Sequence, residues 1–89
     1  MLSWEIIARG RVQGVGFRAH AHKCAVQCGI RGYVKNLWDG SVHVHASGDQ
    51  AALETFCTLL RSGHRYIVVQ ELQVTEVTHA VEYDDFEIR

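Results

Sequence analysis

Gly10-Arg11-Val12-Gln13-Gly14-Val15-Gly16-Phe17-Arg18 is the stretch on which the reading of this chain turns. Before it, Leu2 to Arg9 alternates. Trp4, Ile6 and Ala8 fall on one side and Ser3, Glu5, Ile7 and Arg9 on the other, the period of a half-buried strand. Beyond it the period changes. Ala21, Cys24, Ala25 and Cys28 recur at i, i+3, i+4 and i+7, which predicts a helix from Phe17 to Cys28 with Phe17 as its anchor. Gly29 then stands where glycine commonly closes a helix. The quoted stretch is thus a strand-loop-helix joint holding three of the eight glycines. Such a joint can gather backbone N–H groups and a helix N-terminus around a phosphate. It is also the layout of a plain tight turn. The spacing alone matches neither Gly-x-x-x-x-Gly-Lys-Ser/Thr nor a full dinucleotide fingerprint.

The remainder supplies the fold. Ile30 to Lys35 reads as a second strand and Asn36 to Gly40 as a turn, with Asp39-Gly40 offering the positive-φ positions of a hairpin. Ser41 to Ala46 returns as a third strand, with Val42, Val44 and Ala46 on one face and His43 and His45 on the other, outward one. A helix starts near Ser47-Gly48-Asp49-Gln50, capped either by a Ser47/Gln50 box or by Asp49. Leu53, Phe56, Cys57 and Leu60 give its apolar stripe, and Gly63 ends it. Tyr66 to Val77 is a further strand run, with Val68, Leu72 and Val74 sharing one parity. Thr78 to Asp85 reads as a loop, and Phe86 and Ile88 mark a last short strand from Asp85 to Arg89. The order is βαββαβ with a short extra C-terminal strand. A hairpin joins the middle pair, so an α+β, ferredoxin-like α/β sandwich is expected, its sheet mostly antiparallel and both helices on one face. The 89 residues make a single domain, 1–89, with no room for a second core.

Charge is distributed unevenly. The net charge is −1, yet no Asp or Glu occurs from Ile6 to Trp38, a window holding six of the nine Lys and Arg residues. An acid-free, basic third is suited to holding an anion, although a solvated charged face has the same composition. Arg18 also opposes a local rule. A cation in the first turn of a helix works against the macrodipole by about 0.3–1 kcal/mol at an exposed site, and no acid lies in that turn. A bound anion between Arg18, the helix end and the loop N–H groups resolves the conflict. An arginine lying along the surface, or paired with a distant carboxylate such as that of Arg89, resolves it too.

These residues carry a family resemblance. Gly10 to Arg18 looks like the acylphosphatase signature almost residue for residue. Gly32-Tyr33-Val34-Lys35-Asn36 followed by Asp39-Gly40-Ser41-Val42 matches its second half. The likeness runs on through Gly48 and Phe56 to the closing Phe86-x-Ile88-Arg89, covering essentially the whole chain. It implies that Arg18 is the phosphate-binding catalytic arginine and Asn36 the asparagine that positions the attacking water. It implies a phosphate-binding loop made by the backbone of Gln13, Gly14, Val15, Gly16, Phe17 and Arg18, with Arg11 secondary at its mouth. The implied activity is hydrolysis of an acyl phosphate to carboxylate and inorganic phosphate, with no metal, no cofactor and no covalent intermediate. A small-molecule acyl phosphate is then the partner, inorganic phosphate or sulfate competes, and a monomer is expected. Asn36 has a plainer reading, a hairpin asparagine tolerating positive φ.

Other features weigh less. A ferredoxin-like RNA- or anion-binding module without hydrolytic activity is the alternative, but the aromatic strand motif of RNA-binding sheets is missing. An acylphosphatase-like domain within a larger carbamoyl-transfer maturation protein is a further possibility, with the short chain favouring a free-standing enzyme. His43 and His45 share a strand face, yet no third metal ligand is evident, and no metal site is expected. His20 and His22 point to different sides of their helix. Trp38 and Tyr33 read as packing aromatics. The three cysteines are an odd number, Cys24 and Cys28 share a helix face, and the N-terminus has no signal-peptide features. Free thiols in a reducing, cytoplasmic compartment are expected, with no membrane span and no nucleic-acid partner. The joint Gly63-His64-Arg65 lacks the proline that several members of the resembled family carry there.

Overall fold

The computed structural model describes residues 1–78 and 82–89. The elements come in the expected order: β1 (Leu2–Arg11), α1 (Phe17–Cys28), β2 (Arg31–Asn36), β3 (Val42–Gly48), α2 (Gln50–Ser62), β4 (Val68–Val77) and β5 (Phe86–Ile88). They build a five-stranded sheet in the order β4-β1-β3-β2-β5. β1 runs antiparallel to β3 and β4, β2 runs antiparallel to β3, and β5 is parallel to β2. The expected βαββαβ sandwich with an added short strand is therefore what forms.

Register explains the core. Ile6 lies opposite Val44, Ala8 opposite Val42 and Val34 opposite Val44, so these side chains share one face of the sheet. They form one buried cluster with Phe17, Ala21 and Ala25 of α1 and Leu53, Phe56 and Leu60 of α2, so both helices cover that face. All four residues of the α2 stripe are buried, while in α1 the last one, Cys28, is half-buried. Each fully buried Leu or Phe contributes about 1.5–3 kcal/mol. Phe17 does a second job. Its burial fixes the rotation of the first turn of α1, and Arg18, about 100° further round, is left at the edge of the core.

Several expectations need correction. β1 extends two residues further than Arg9, to Arg11, because a bulge lets it stay paired with β4: Arg9 faces Glu71 and Gly10 faces Val69, with Gln70 as the extra residue. A bulge reverses side-chain parity. Leu72 and Val69, of opposite parity, therefore both pack against the core, whereas Val68 and Val74 are exposed on the edge strand. Of the two caps expected for α2, the Ser47/Gln50 box does not form and Asp49 is the N-cap residue. Ser47 still belongs to β3, opposite Ser3, and its Oγ is paired with Ser3 Oγ at 2.8 Å in the interior; Asp49 takes the cap position without a side-chain bond. In the β2–β3 turn only Gly40 has a positive φ, 90°. Asp39 instead accepts hydrogen bonds from the Ser41 hydroxyl and the Ser41 N–H, which lowers its pKa.

The far face of the sheet is less open than the sequence implies. Glu5 sits between His43 and His45 and hydrogen-bonds to both imidazoles. Tyr33 stacks on His45 at 5.6 Å, Tyr83 packs against both, and the Arg89 guanidinium lies 4.1 Å over the Tyr33 ring. His45 is consequently buried rather than outward. Among the described residues no three His, Cys, Asp or Glu side chains are arranged to hold a metal. No described helix is long and apolar enough to cross a membrane. Cys24, Cys28 and Cys57 are free thiols, with Cys24 and Cys57 buried, and burial raises the pKa of each of the three. Of the expected loop from Thr78 to Asp85, residues 79–81 lie outside the described residues.

Candidate active site

The joint after β1 leads straight into α1, and a pocket of about 240 Å³ opens where it meets the end of β2. Gly14, Gly16, Phe17 and Arg18 line it together with Asn36, and Ile88 of β5, Val12 and Ala19 complete the wall. Gly14 and Gly16 have φ of 73° and 84°, while Gln13 and Val15 do not enter the positive-φ region. Alternating left-handed and ordinary residues turn successive N–H groups toward one concave side. Gly16 is also the N-cap of α1, and it offers no side chain to the first-turn N–H groups. Those donors have no intrahelical partner and are available to a ligand. Among the described residues no acid lies in the first turn of α1 or in the pocket wall.

Arg18 is half-buried, and its Nη1 donates to the backbone oxygen of Arg89 at 2.9 Å. Arg89 in turn is held by Glu87, which accepts from its Nε at 3.1 Å, and by the Tyr33 ring. One edge of the Arg18 guanidinium is therefore fixed by protein, and its Nη1 contact restricts how the rest is presented to the pocket. Asn36 is exposed at the end of β2, opposite Val42. Its φ is not positive, so the plain hairpin explanation for this asparagine does not hold.

The expected loop residues divide. Gly14, Gly16, Phe17 and Arg18 meet Asn36 at the pocket. The side chain of Gln13 faces elsewhere, its Nε2 donating to Leu37 O and Ser41 O, both at 2.8 Å. It fastens the glycine loop to the turn that follows Asn36. Val15 lines a neighbouring groove instead. Arg11 is exposed in the extended β1, opposite Val68, and takes no part in the pocket. Trp38 is fully exposed, packing on none of the described residues, whereas Tyr33 is engaged as described. The only local sign of this strap in the sequence is a long amide among glycines, since its partners lie across the β2–β3 turn. Ile88 as a wall follows from the parallel pairing of β5 with β2, which local patterning does not announce.

Known proteins resemble this chain along its whole length. Residues 4–88 match the family model described as Acylphosphatase. An acylphosphatase of Archaeoglobus fulgidus is 39% identical over 99% of this chain and 98% of its own length. One from Thermotoga maritima is 42% identical over 100% of this chain and 98% of its own. The crystal structure of acylphosphatase from Bacillus subtilis superposes with a TM-score of 0.96 at 37% identity, covering 100% of this chain and 99% of that one. By sequence along its whole length and by backbone, this chain belongs to the acylphosphatase family.

Proposed function

We propose that the chain hydrolyses acyl phosphates at the pocket between the Gly14–Arg18 loop and Asn36. One observation carries the reading: Gly14, the Gly16 N-cap of α1, the half-buried Arg18 and Asn36 line a single recess of about 240 Å³. The phosphoryl group sits against the N–H groups of the loop and the first turn of α1, with Arg18 gripping its oxygens through the nitrogens not used by Arg89. The Asn36 amide holds a water on the opposite side and aims it in line at phosphorus. The water oxygen bonds to phosphorus as the P–O bond to the acyl group breaks. The acyl carboxylate leaves with the electron pair, and a phosphoryl oxygen takes the proton from the water.

Little else is required. A carboxylate is a good leaving group, so positioning and charge stabilisation supply the catalysis, without a covalent nucleophile or a metal. Inorganic phosphate or sulfate fits the same cradle and competes. We further propose a monomer of a single domain working in the reducing cytoplasm, a setting consistent with three free thiols. Purified protein incubated with benzoyl phosphate tests the reading: it should release benzoate and phosphate, with competitive inhibition by inorganic phosphate. Salt-dependent RNA binding with no hydrolysis would favour the binding module instead.

A further inference from the structure

A second, larger recess adjoins the first. It is a groove of about 420 Å³ between α1 and the joint from α2 to β4. Gly16 and Ala19 line both recesses, so one opens beside the other at the start of α1. The groove has an apolar floor of Val15, Cys24, Leu59 and Ile67, and its rim carries Lys23 and Arg65. Among the described residues no acid lines it. Lys23 is one turn beyond Ala19, on the same side of α1.

Arg65 is held there by an unusual backbone. It occupies the tip of a turn closed by the Ile67 N–H donating to His64 O at 2.9 Å. Its φ of 53° makes it the one non-glycine in the positive-φ region among the described residues. Such positions favour glycine or asparagine, and an arginine kept there directs attention to its side chain. His20 and His64 stack in parallel along the wall, 5.6 Å apart. Burial lowers the pKa of His20, so that imidazole adds no charge at neutral pH, and Lys23 and Arg65 are the permanent charges of the groove.

The groove lies next to the point where the acyl part of an acyl phosphate would leave the first recess. With phosphorus in the cradle, the acyl carbon is only one bridging oxygen away, so the acyl body begins at the mouth of the first recess. A cavity of roughly 150 Å³ accommodates benzene. The groove therefore has room for an aromatic or comparable aliphatic body and for a group beyond it. Resting on the function proposed above, we infer that this groove is the acyl subsite and that it selects acyl phosphates whose apolar acyl body ends in a second anionic group, a carboxylate. The body lies on Val15, Leu59 and Ile67, and the terminal carboxylate meets Lys23 and Arg65.

Three probes test this: acetyl phosphate, 4-carbamoylbenzoyl phosphate and 4-carboxybenzoyl phosphate. The last two have nearly the same shape and differ in charge. Two exposed ionic contacts together give the carboxylate an advantage in kcat/KM of roughly fivefold over the amide at low salt. Raising the salt to about 1 M should erase that advantage, because exposed charges are screened. In the double variant Lys23→Glu, Arg65→Glu the preference should reverse. Equal kcat/KM for carboxylate and amide in the wild type at low salt overturns the inference, as does a preference that survives the double reversal in protein with an unchanged circular dichroism spectrum. The wild-type salt series stands without any variant. Acetyl phosphate separates the two levels: if the wild type does not hydrolyse it or either benzoyl probe, the proposed function itself fails.

Discussion

Removing the Gln13 side chain is the perturbation that separates a mere glycine turn from a supported site. In Gln13→Ala two hydrogen bonds of 2.8 Å to Leu37 O and Ser41 O disappear. Neither carbonyl is orphaned. Ser41 O still accepts from the Leu37 N–H at 2.9 Å, and Leu37 O from the Gly40 N–H at 3.4 Å. The penalty for an unsatisfied buried group therefore does not apply in full. Two neutral bonds at about 0.5–1.5 kcal/mol each give a loss in the lower half of their sum, about 1–2 kcal/mol. For a chain of this size that lowers Tm by about 5–15 °C.

The consequence for turnover is separate. Leu37 follows Asn36 directly, so loosening its carbonyl loosens the amide that aims the water, on one side, and the cradle, on the other. Misplacement of a reacting group by about 1 Å can cost about 100-fold; partial slackening is expected to lower kcat/KM for benzoyl phosphate roughly tenfold. Gln13→Glu should be worse than Gln13→Ala, because a carboxylate presents two acceptors to two carbonyls and cannot donate. Differential scanning calorimetry and steady-state kinetics on both variants make the test. Gln13→Ala with wild-type Tm and wild-type kcat/KM would refute the strap.

Three further outcomes follow from the same structure. Gly32→Ala should prevent folding, seen as loss of the cooperative urea transition: φ is 140° there, and an added Cβ would lie 1.8 Å from His45 O in the paired strand. Ser3→Ala should cost about 1–3 kcal/mol in urea unfolding by stranding the buried Ser47 hydroxyl, and the double variant Ser3→Ala, Ser47→Ala should be closer to wild type than either single one. Glu5 gives a pH dependence. Burial raises its pKa, but hydrogen bonds from His45 and His43 outweigh this, so the folded value lies below the ordinary 4.5. Its contribution is therefore present above about pH 4.5 and lost as pH falls through the lower folded value, and Glu5→Gln should flatten that part of the stability profile measured from pH 7 to pH 3.

Where the sequence was legible, local chemistry and tertiary structure agree. The two helix stripes, the alternation of β1 and β3, and the closing Gly29 specified the helices and the layers because each apolar period matches the face it buries. Arg18 and Asn36 were visible as motif residues, and their meeting at one pocket follows from β1 and β2 flanking β3 in the sheet. What stayed hidden depends on contacts distant in sequence. The bulge at Gln70 is set by pairing with β1, and it defeats a parity count along β4 alone. Ser47 chose Ser3, 44 residues away, over a capping role. His45 looked solvent-facing on a strand pattern, yet Glu5, Tyr33 and Tyr83 bury it from three other segments. Gln13 behaves alike: its partners lie 24 and 28 residues on, across the β2–β3 turn.

The central claim is that Arg18 binds the phosphoryl group while Asn36 directs the water. Benzoyl phosphate turnover and calorimetric binding of inorganic phosphate, measured side by side on wild type, Arg18→Gln and Asn36→Ala, test it most directly. Arg18→Gln should lose phosphate binding and at least about 100-fold in turnover with its circular dichroism spectrum intact. Asn36→Ala should lose turnover to a similar extent and still bind phosphate. Near-normal turnover in Arg18→Gln, or in Asn36→Ala, would contradict the account.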